Sequence, residues 1–248
     1  MKNYQTTKLL PWVTLCGGIL GLALRLILNA TENDKGFVTR WHWSTIALVA
    51  LTALFLAGIY VLTRPMRQAN KFEFNFPASL FGGIGAALAA VGFGFTSITE
   101  LLAARDLLTT VSAALGIVAA LALLVVAYTR WQGKRPSMIL HSLICAYLMV
   151  RLICMYRQWS SDPQLTDYAF ELLALVCAML AAYHRATFDA NLGRRASFAF
   201  FSLAAVYFCF LGLGGENQPL LYGAVGLWLF ADRCDLTPLP REFWEDAQ

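Results

Sequence analysis

Four stretches of this chain, residues 41–63, 78–99, 107–129 and 196–215, contain no Asp, Glu, Lys or Arg. Each is long enough for an α-helix to cross the hydrocarbon core of a bilayer, which takes roughly 20 apolar residues. In lipid every backbone N–H and C=O must be satisfied within a helix or a closed barrel. A barrel needs strands of about ten residues with alternating polarity, and these runs do not alternate. They predict membrane helices. The whole chain agrees, with 58% hydrophobic and 14% charged residues, against about 25% charged in a soluble domain.

Four further segments are apolar with exceptions. Residues 9–29 contain Arg25, 137–157 contain Arg151 and Arg157, and 165–184 contain Asp167 and Glu171. The last, 217–231, is short, but "PLLYGAVGLWLF" is too apolar to leave in water. The expected fold class is all-α: one integral membrane domain over 1–248, a bundle of about eight transmembrane helices, and a cytoplasmic tail over 232–248. The spans are expected near 9–29, 45–63, 78–98, 107–128, 137–157, 165–184, 196–214 and 217–231. Seven spans, with the last segment lying in the interface, is the alternative. The start has the lysines of a secretory signal, but its apolar run continues past Arg25. Cleavage after Ala30 would put Leu28 where a small residue is wanted, so the segment reads as an uncleaved first helix.

Lys and Arg fall unevenly between the two sides. One side would hold Lys2, Lys8, Arg64, Arg67, Lys71, Arg130, Lys134, Arg135, Arg185, Arg194, Arg195, Arg233 and Arg241, thirteen in all. The other would hold four: Lys35, Arg40, Arg105 and Arg157. Cytoplasmic loops carry the excess of basic residues, so both termini are expected on the cytoplasmic side of the cell membrane. Five of seven tryptophans (Trp12, Trp41, Trp43, Trp131 and Trp159) fall at expected span ends, as an aromatic belt would place them.

The embedded charges share a depth. At 1.5 Å per residue, Arg151 and Glu171 each lie roughly 9 Å below the outer surface, and Arg25 roughly 7 Å below it. The connection "QWSSDPQL" between the fifth and sixth spans is short, so those helices are antiparallel neighbours. Arg151 is thereby matched with Glu171, and Arg157 with Asp162 or Asp167. Asp167, Glu171, Ala174, Ala178 and Ala181 follow one helix face, acids first and then small residues that permit close packing. Leu172, Leu175, Val176 and Met179 face lipid or an apolar neighbour. A charge facing lipid at mid-helix costs several kcal/mol, so spans 1, 5 and 6 are expected to build a polar interior.

The candidate site is therefore Arg25, Arg151, Arg157, Asp167 and Glu171, a ligand-binding or ion-pair cluster open to the outside. Glu100, Glu216 and Asn217 form its rim, with Arg105 and Asp106 capping the adjacent turn. The arginines would hold an anionic group, and the acids a cation or a proton. The alternative is a clamp that fixes helix register. "GLGGENQP" (211–219) reads as close packing, or as a broken segment lining a cavity. Phe72, Phe74 and Phe76 are expected to rest in the membrane interface beside the second span.

Other chemistry has little support. Six cysteines form no CxxC pair, and five lie in expected spans, where cysteine is a small hydrophobe. His141 and His184 are expected near each other but belong to no metal motif, and no Walker loop or G-x-S-x-G occurs. All five lysines read as loop residues, which excludes a retinal Schiff base. No cofactor, metal or nucleic-acid partner is expected. The partners are the lipid bilayer and a small charged solute; oligomeric state is not legible.

The stretch "LRLILNATENDKGF" (24–37) resembles a pattern in uncharacterised bacterial multi-pass membrane proteins: an Arg-bearing first helix leading into an outer turn with Asp, Lys and Gly. That resemblance covers one helix and one turn. It implies membrane embedding and no activity. The expected function is a small-solute or ion transporter or binding protein with an outward-facing charged site. Against it stand a non-transporting membrane component, such as a sensor, assembly or envelope partner, and a membrane-embedded enzyme.

Overall fold

The computed structural model describes residues 2–30, 43–66, 69–104, 106–160, 165–215 and 218–238, with side chains for all of these except 2–7 and 165–167. The described residues are all-helical: α1 (Lys2–Ala30), α2 (Trp43–Thr63), α3 (Phe72–Asn75), α4 (Leu80–Ala103), α5 (Leu107–Trp131), α6 (Met138–Trp159), α7 (Leu165–Asp189), α8 (Arg195–Leu213) and α9 (Pro219–Cys234). Seven of them are long and apolar enough to cross a membrane, all but α3 and α9. Large apolar side chains point outward around the bundle, among them Leu54, Val61, Leu102, Leu107 and Ile139. Such a surface is stable only against lipid. The chain is an integral, multi-pass membrane protein.

Helices α4 to α8 pack in sequence, each against the next, and α9 fills the space between α4 and α8. Helix α1 lies on α8, with α2 outside both. The shortest of the long helices is thus among the most deeply placed. Its Leu221, Tyr222, Val225, Trp228, Leu229 and Ala231 are all buried, while Leu220 and Leu227 are exposed. Sixteen residues reach about 24 Å, less than the roughly 30 Å of hydrocarbon. A helix enclosed by protein tolerates that shortfall, because its ends meet protein groups instead of lipid.

Glycine makes the α4–α9 seam possible. A Cβ on Gly85 would lie 2.4 Å from the Ala231 Cβ, and one on Gly92 would lie 2.5 Å from the Ala224 Cβ. The seven-residue step is the same on both helices, so they run antiparallel in register. Gln218 begins α9 beside Glu100, near the end of α4. Asp235 follows α9 beside Ser79, the N-cap of α4. The bundle therefore has a terminal end, with the start of α1 and the end of α9, and a distal end opposite. Trp12 of α1 meets Phe230 of α9 toward the first, and Arg25 meets Leu211 of α8 toward the second.

Several expectations need adjustment. Trp12, Trp43 and Trp131 are exposed, but Trp159 is buried and stacks on Tyr168 at 4.4 Å; Trp41 lies outside the described residues. Lys2 and Lys8 belong to α1 rather than to a loop before it, and Lys8 is exposed. On α7 the small stripe Ala174, Ala178 and Ala181 is buried, and Leu175 is buried too, against apolar neighbours rather than lipid. The segment after α2 turns inward: Phe72 and Phe76 pack with Phe188, Phe198 and Leu236, and Phe74 is exposed.

Candidate functional site

The embedded charges form two separate pairs at the distal end. Arg25 of α1 donates from Nη2 to Glu171 Oε1 of α7 at 3.0 Å, and from Nη1 to the Leu211 carbonyl at 3.0 Å. Its guanidinium also lies 5.8 Å over the Phe170 ring. Gly215 permits this approach, since a Cβ there would fall 1.9 Å from Glu171 Oε1. Asn29, one turn past Arg25, donates to the Gly214 carbonyl at 2.7 Å. The end of α1 is thereby tied to the connection between α8 and α9.

Arg151 of α6 does not meet Glu171. Its Nη1 donates to Glu100 Oε2 of α4 at 2.7 Å, and its Nη2 to Gln218 Oε1. Gln218 Nε2 donates in turn to Glu100 Oε1, closing a three-residue ring that joins α4, α6 and the start of α9. Glu100, expected on the rim, is the arginine's partner. Gln218 takes a left-handed backbone (φ 54°, ψ 53°), which turns the chain sharply into α9. Tyr222, one turn further along α9, is within electrostatic reach of Arg25, Glu171 and Arg151, and its hydroxyl donates to Met155 Sδ at 3.6 Å.

Beside this ring a cavity of about 600 Å³ opens at the distal end. Glu100, Arg151 and Gln218 form part of its wall, with Asp106, Cys154, Met155, Arg157 and Trp159. Arg157 and Asp106 are exposed on that wall. The Arg25–Glu171 pair is not part of it. Asp162, Arg105, Glu216 and Asn217 lie outside the described residues, as does the side chain of Asp167.

The terminal end holds a larger polar assembly, whose arginines and aspartates fall beyond the ends of the expected spans. Arg185 of α7 donates from Nη1 to Asp189 Oδ1 at 3.0 Å and from Nε to Asp232 Oδ2 of α9 at 3.2 Å. His141 Nδ1 of α6 lies 2.6 Å from Asp189 Oδ2. Arg130 of α5 pairs with Asp235, and its Nε lies 4.0 Å from Asp232 Oδ1. The Ser79 hydroxyl donates to Asp235 Oδ1 at 2.5 Å. Five helices are joined in this way, and Arg130, His141, Arg185, Asp189 and Asp232 are all buried. Burial pushes the Asp235 carboxyl above the usual carboxylate range, while Arg130 and the Ser79 hydroxyl pull it back.

Helix α3 closes this end from beneath. The Arg185 guanidinium lies 4.0 Å over the Phe76 ring and 5.2 Å over Phe72, and that of Arg130 lies 5.2 Å over Phe76. Aromatic faces attract desolvated guanidinium groups, so these phenylalanines serve the charges rather than the interface. Asn75 accepts from Arg195 Nη1 at 2.7 Å, and the Thr237 hydroxyl donates to the Phe74 carbonyl at 2.8 Å. His184 does not approach His141; it stacks on Phe201. Among the described residues no group of three His, Cys, Asp or Glu is placed to hold a metal.

The sequence held one signal for this assembly. Arg185 and Asp189 are four apart, the spacing of a helical ion pair, but the expected span stopped at 184. Chemically, the terminal assembly can seal an end and the distal cavity can admit a solute. The chain matches no protein-family model, no curated protein and no solved structure.

Proposed function

We propose that the chain binds, and carries across the membrane, a small charged solute that enters the distal cavity from outside the cell. One observation carries this reading: the bundle opens at one end into about 600 Å³ of partly charged space, while buried ion pairs lace the other end together. Alternating access needs that asymmetry, with one end open while the other is closed. In this reading α9 is an eighth crossing helix. The excess of Lys and Arg on the terminal side supports a cytoplasmic terminal end, and with it an outward-facing cavity. The resemblance of residues 24–37 to uncharacterised bacterial membrane proteins bears on membrane embedding alone and adds nothing to the choice of activity. Arg157 would meet an anionic group of the solute and Asp106 a cationic one, both being exposed on the cavity wall. Arg151 and Glu100 would hold the wall in shape.

The test is thermal stability of the purified protein against amino acids, dicarboxylates and monovalent cations. One class should raise the melting temperature of the wild type and leave Arg157→Gln unmoved. A flat response to every class would refute solute binding. It would favour the second reading, a non-transporting component whose charges clamp the helices. That reading draws on Arg25 and Glu171, which are paired, buried and away from the cavity.

A further inference from the structure

Arg233 lies in the last turn of α9, wholly buried. Its Nε, Nη1 and Nη2 are each enclosed, and none meets an acceptor. Its neighbours in the chain do not help. Successive residues on a helix diverge by about 100°, and Asp232 and Asp235 are engaged by Arg185, Arg130 and Ser79. The charged side chain that acts on it most strongly is another cation, Arg195 at the start of α8. Arg195 is itself buried, donating to Asn75 Oδ1 at 2.7 Å and to the Thr237 carbonyl at 2.6 Å.

Two buried guanidiniums in mutual repulsion are costly. The negative end of the α9 dipole offsets only part of that cost. A guanidinium buried without an acceptor calls for an anion, and its planar fork matches two oxygens of one phosphate. Helix α8 begins at the same place with no side-chain cap on its first N–H groups, and such a helix start favours phosphate. We propose that Arg233 and Arg195 hold a phosphate group, supplied by an anionic phospholipid at the terminal face or by a free phosphate ion. This site is at the opposite end from the distal cavity and stands independently of the solute-binding reading.

The full-length protein is melted in a phosphate-free detergent buffer, then with inorganic phosphate, with phosphatidylglycerol, and with phosphatidylcholine, whose choline neutralises its phosphate. The wild type should rise by about 5 °C at roughly a hundredfold excess over the dissociation constant. A rise with both inorganic phosphate and phosphatidylglycerol identifies the ion as sufficient. A rise with phosphatidylglycerol alone identifies the lipid headgroup. Arg194→Met, at an exposed neighbour, should respond as the wild type does. Arg233→Met should not respond, and in phosphate-free buffer it should melt no lower than the wild type, because an unpaired buried charge has been removed. If Arg233→Met does not fold, Arg233→Lys decides, and its response should fall by at least half. The proposal is overturned if the wild type responds to neither phosphate source, if Arg233→Met responds fully, or if the response of Arg233→Lys is unchanged.

Discussion

The two ends of this bundle use the same chemistry, arginine against carboxylate, and set it in different surroundings. At the terminal end Arg185, Asp189, His141 and Asp232 have side chains with no exposure at all. At the distal end Glu100 keeps 18% of its side chain exposed, on the wall of a cavity. In a dry site, removing one partner strands the other charge. Beside a cavity, water can take over the lost hydrogen bond. The same pair therefore acts as a fastening at one end and as part of a wettable surface at the other.

The largest effect should come from the dry end. Arg185→Met leaves Asp189 and Asp232 each short of a partner, and should lower stability by about 3–5 kcal/mol. Melting in detergent measures this, and a loss under 1 kcal/mol would mean that water reaches the assembly. Next is the pairing itself. A double-mutant cycle on Arg25→Met and Glu171→Gln should give a coupling of about 1–3 kcal/mol, and the same cycle on Arg151→Met and Glu171→Gln about 0.5 kcal/mol or less. Coupling of Arg151 to Glu171 would restore the pairing expected from depth alone. Glu100→Gln at the cavity wall should cost only about 0.5–1.5 kcal/mol, because an amide still reaches Arg151 and water replaces the rest. The smallest change in stability is expected for Arg157→Gln, within about 0.5 kcal/mol. That variant should nevertheless lose any solute-dependent rise in melting temperature.

Hydropathy made the membrane helices legible, because lipid leaves a long charge-free run few other options. It also marked Arg25, Arg151 and Glu171 as embedded. It did not give their partners. Depth matched Arg151 to Glu171 and, with the expected span ending at 98, left Glu100 on the rim. Helix α4 in fact runs to Ala103 and carries Glu100, and which faces meet depends on α9 standing between α4 and α8. That contact arises from glycines at 85 and 92 against alanines at 231 and 224, a match visible only when the two helices are set side by side. The terminal assembly was hidden for another reason. A run of hydropathy ends where charge begins, so Arg130, Arg185, Asp189, Arg195, Asp232 and Arg233 read as loop residues or their flanks. The helices instead carry Arg130, Arg185, Asp189, Asp232 and Arg233 in their last turns or just inside them, and Phe72 of the short α3 and Phe76 beside it face Arg130 and Arg185. Phe72 and Phe76 looked like interface aromatics for the same reason.

The most direct test of the open and sealed ends is side-chain accessibility in nanodiscs, where both faces meet the reagent. Single cysteines would be placed at Thr109, on the cavity wall, and at Ala186, beside Arg185 and buried, after replacing the six native cysteines. A bulky, membrane-impermeant maleimide should label Thr109→Cys readily. It should leave Ala186→Cys unlabelled until Asp232→Asn loosens the terminal assembly. Equal labelling of the two positions with Asp232 intact, or no labelling at Thr109→Cys, would contradict the account.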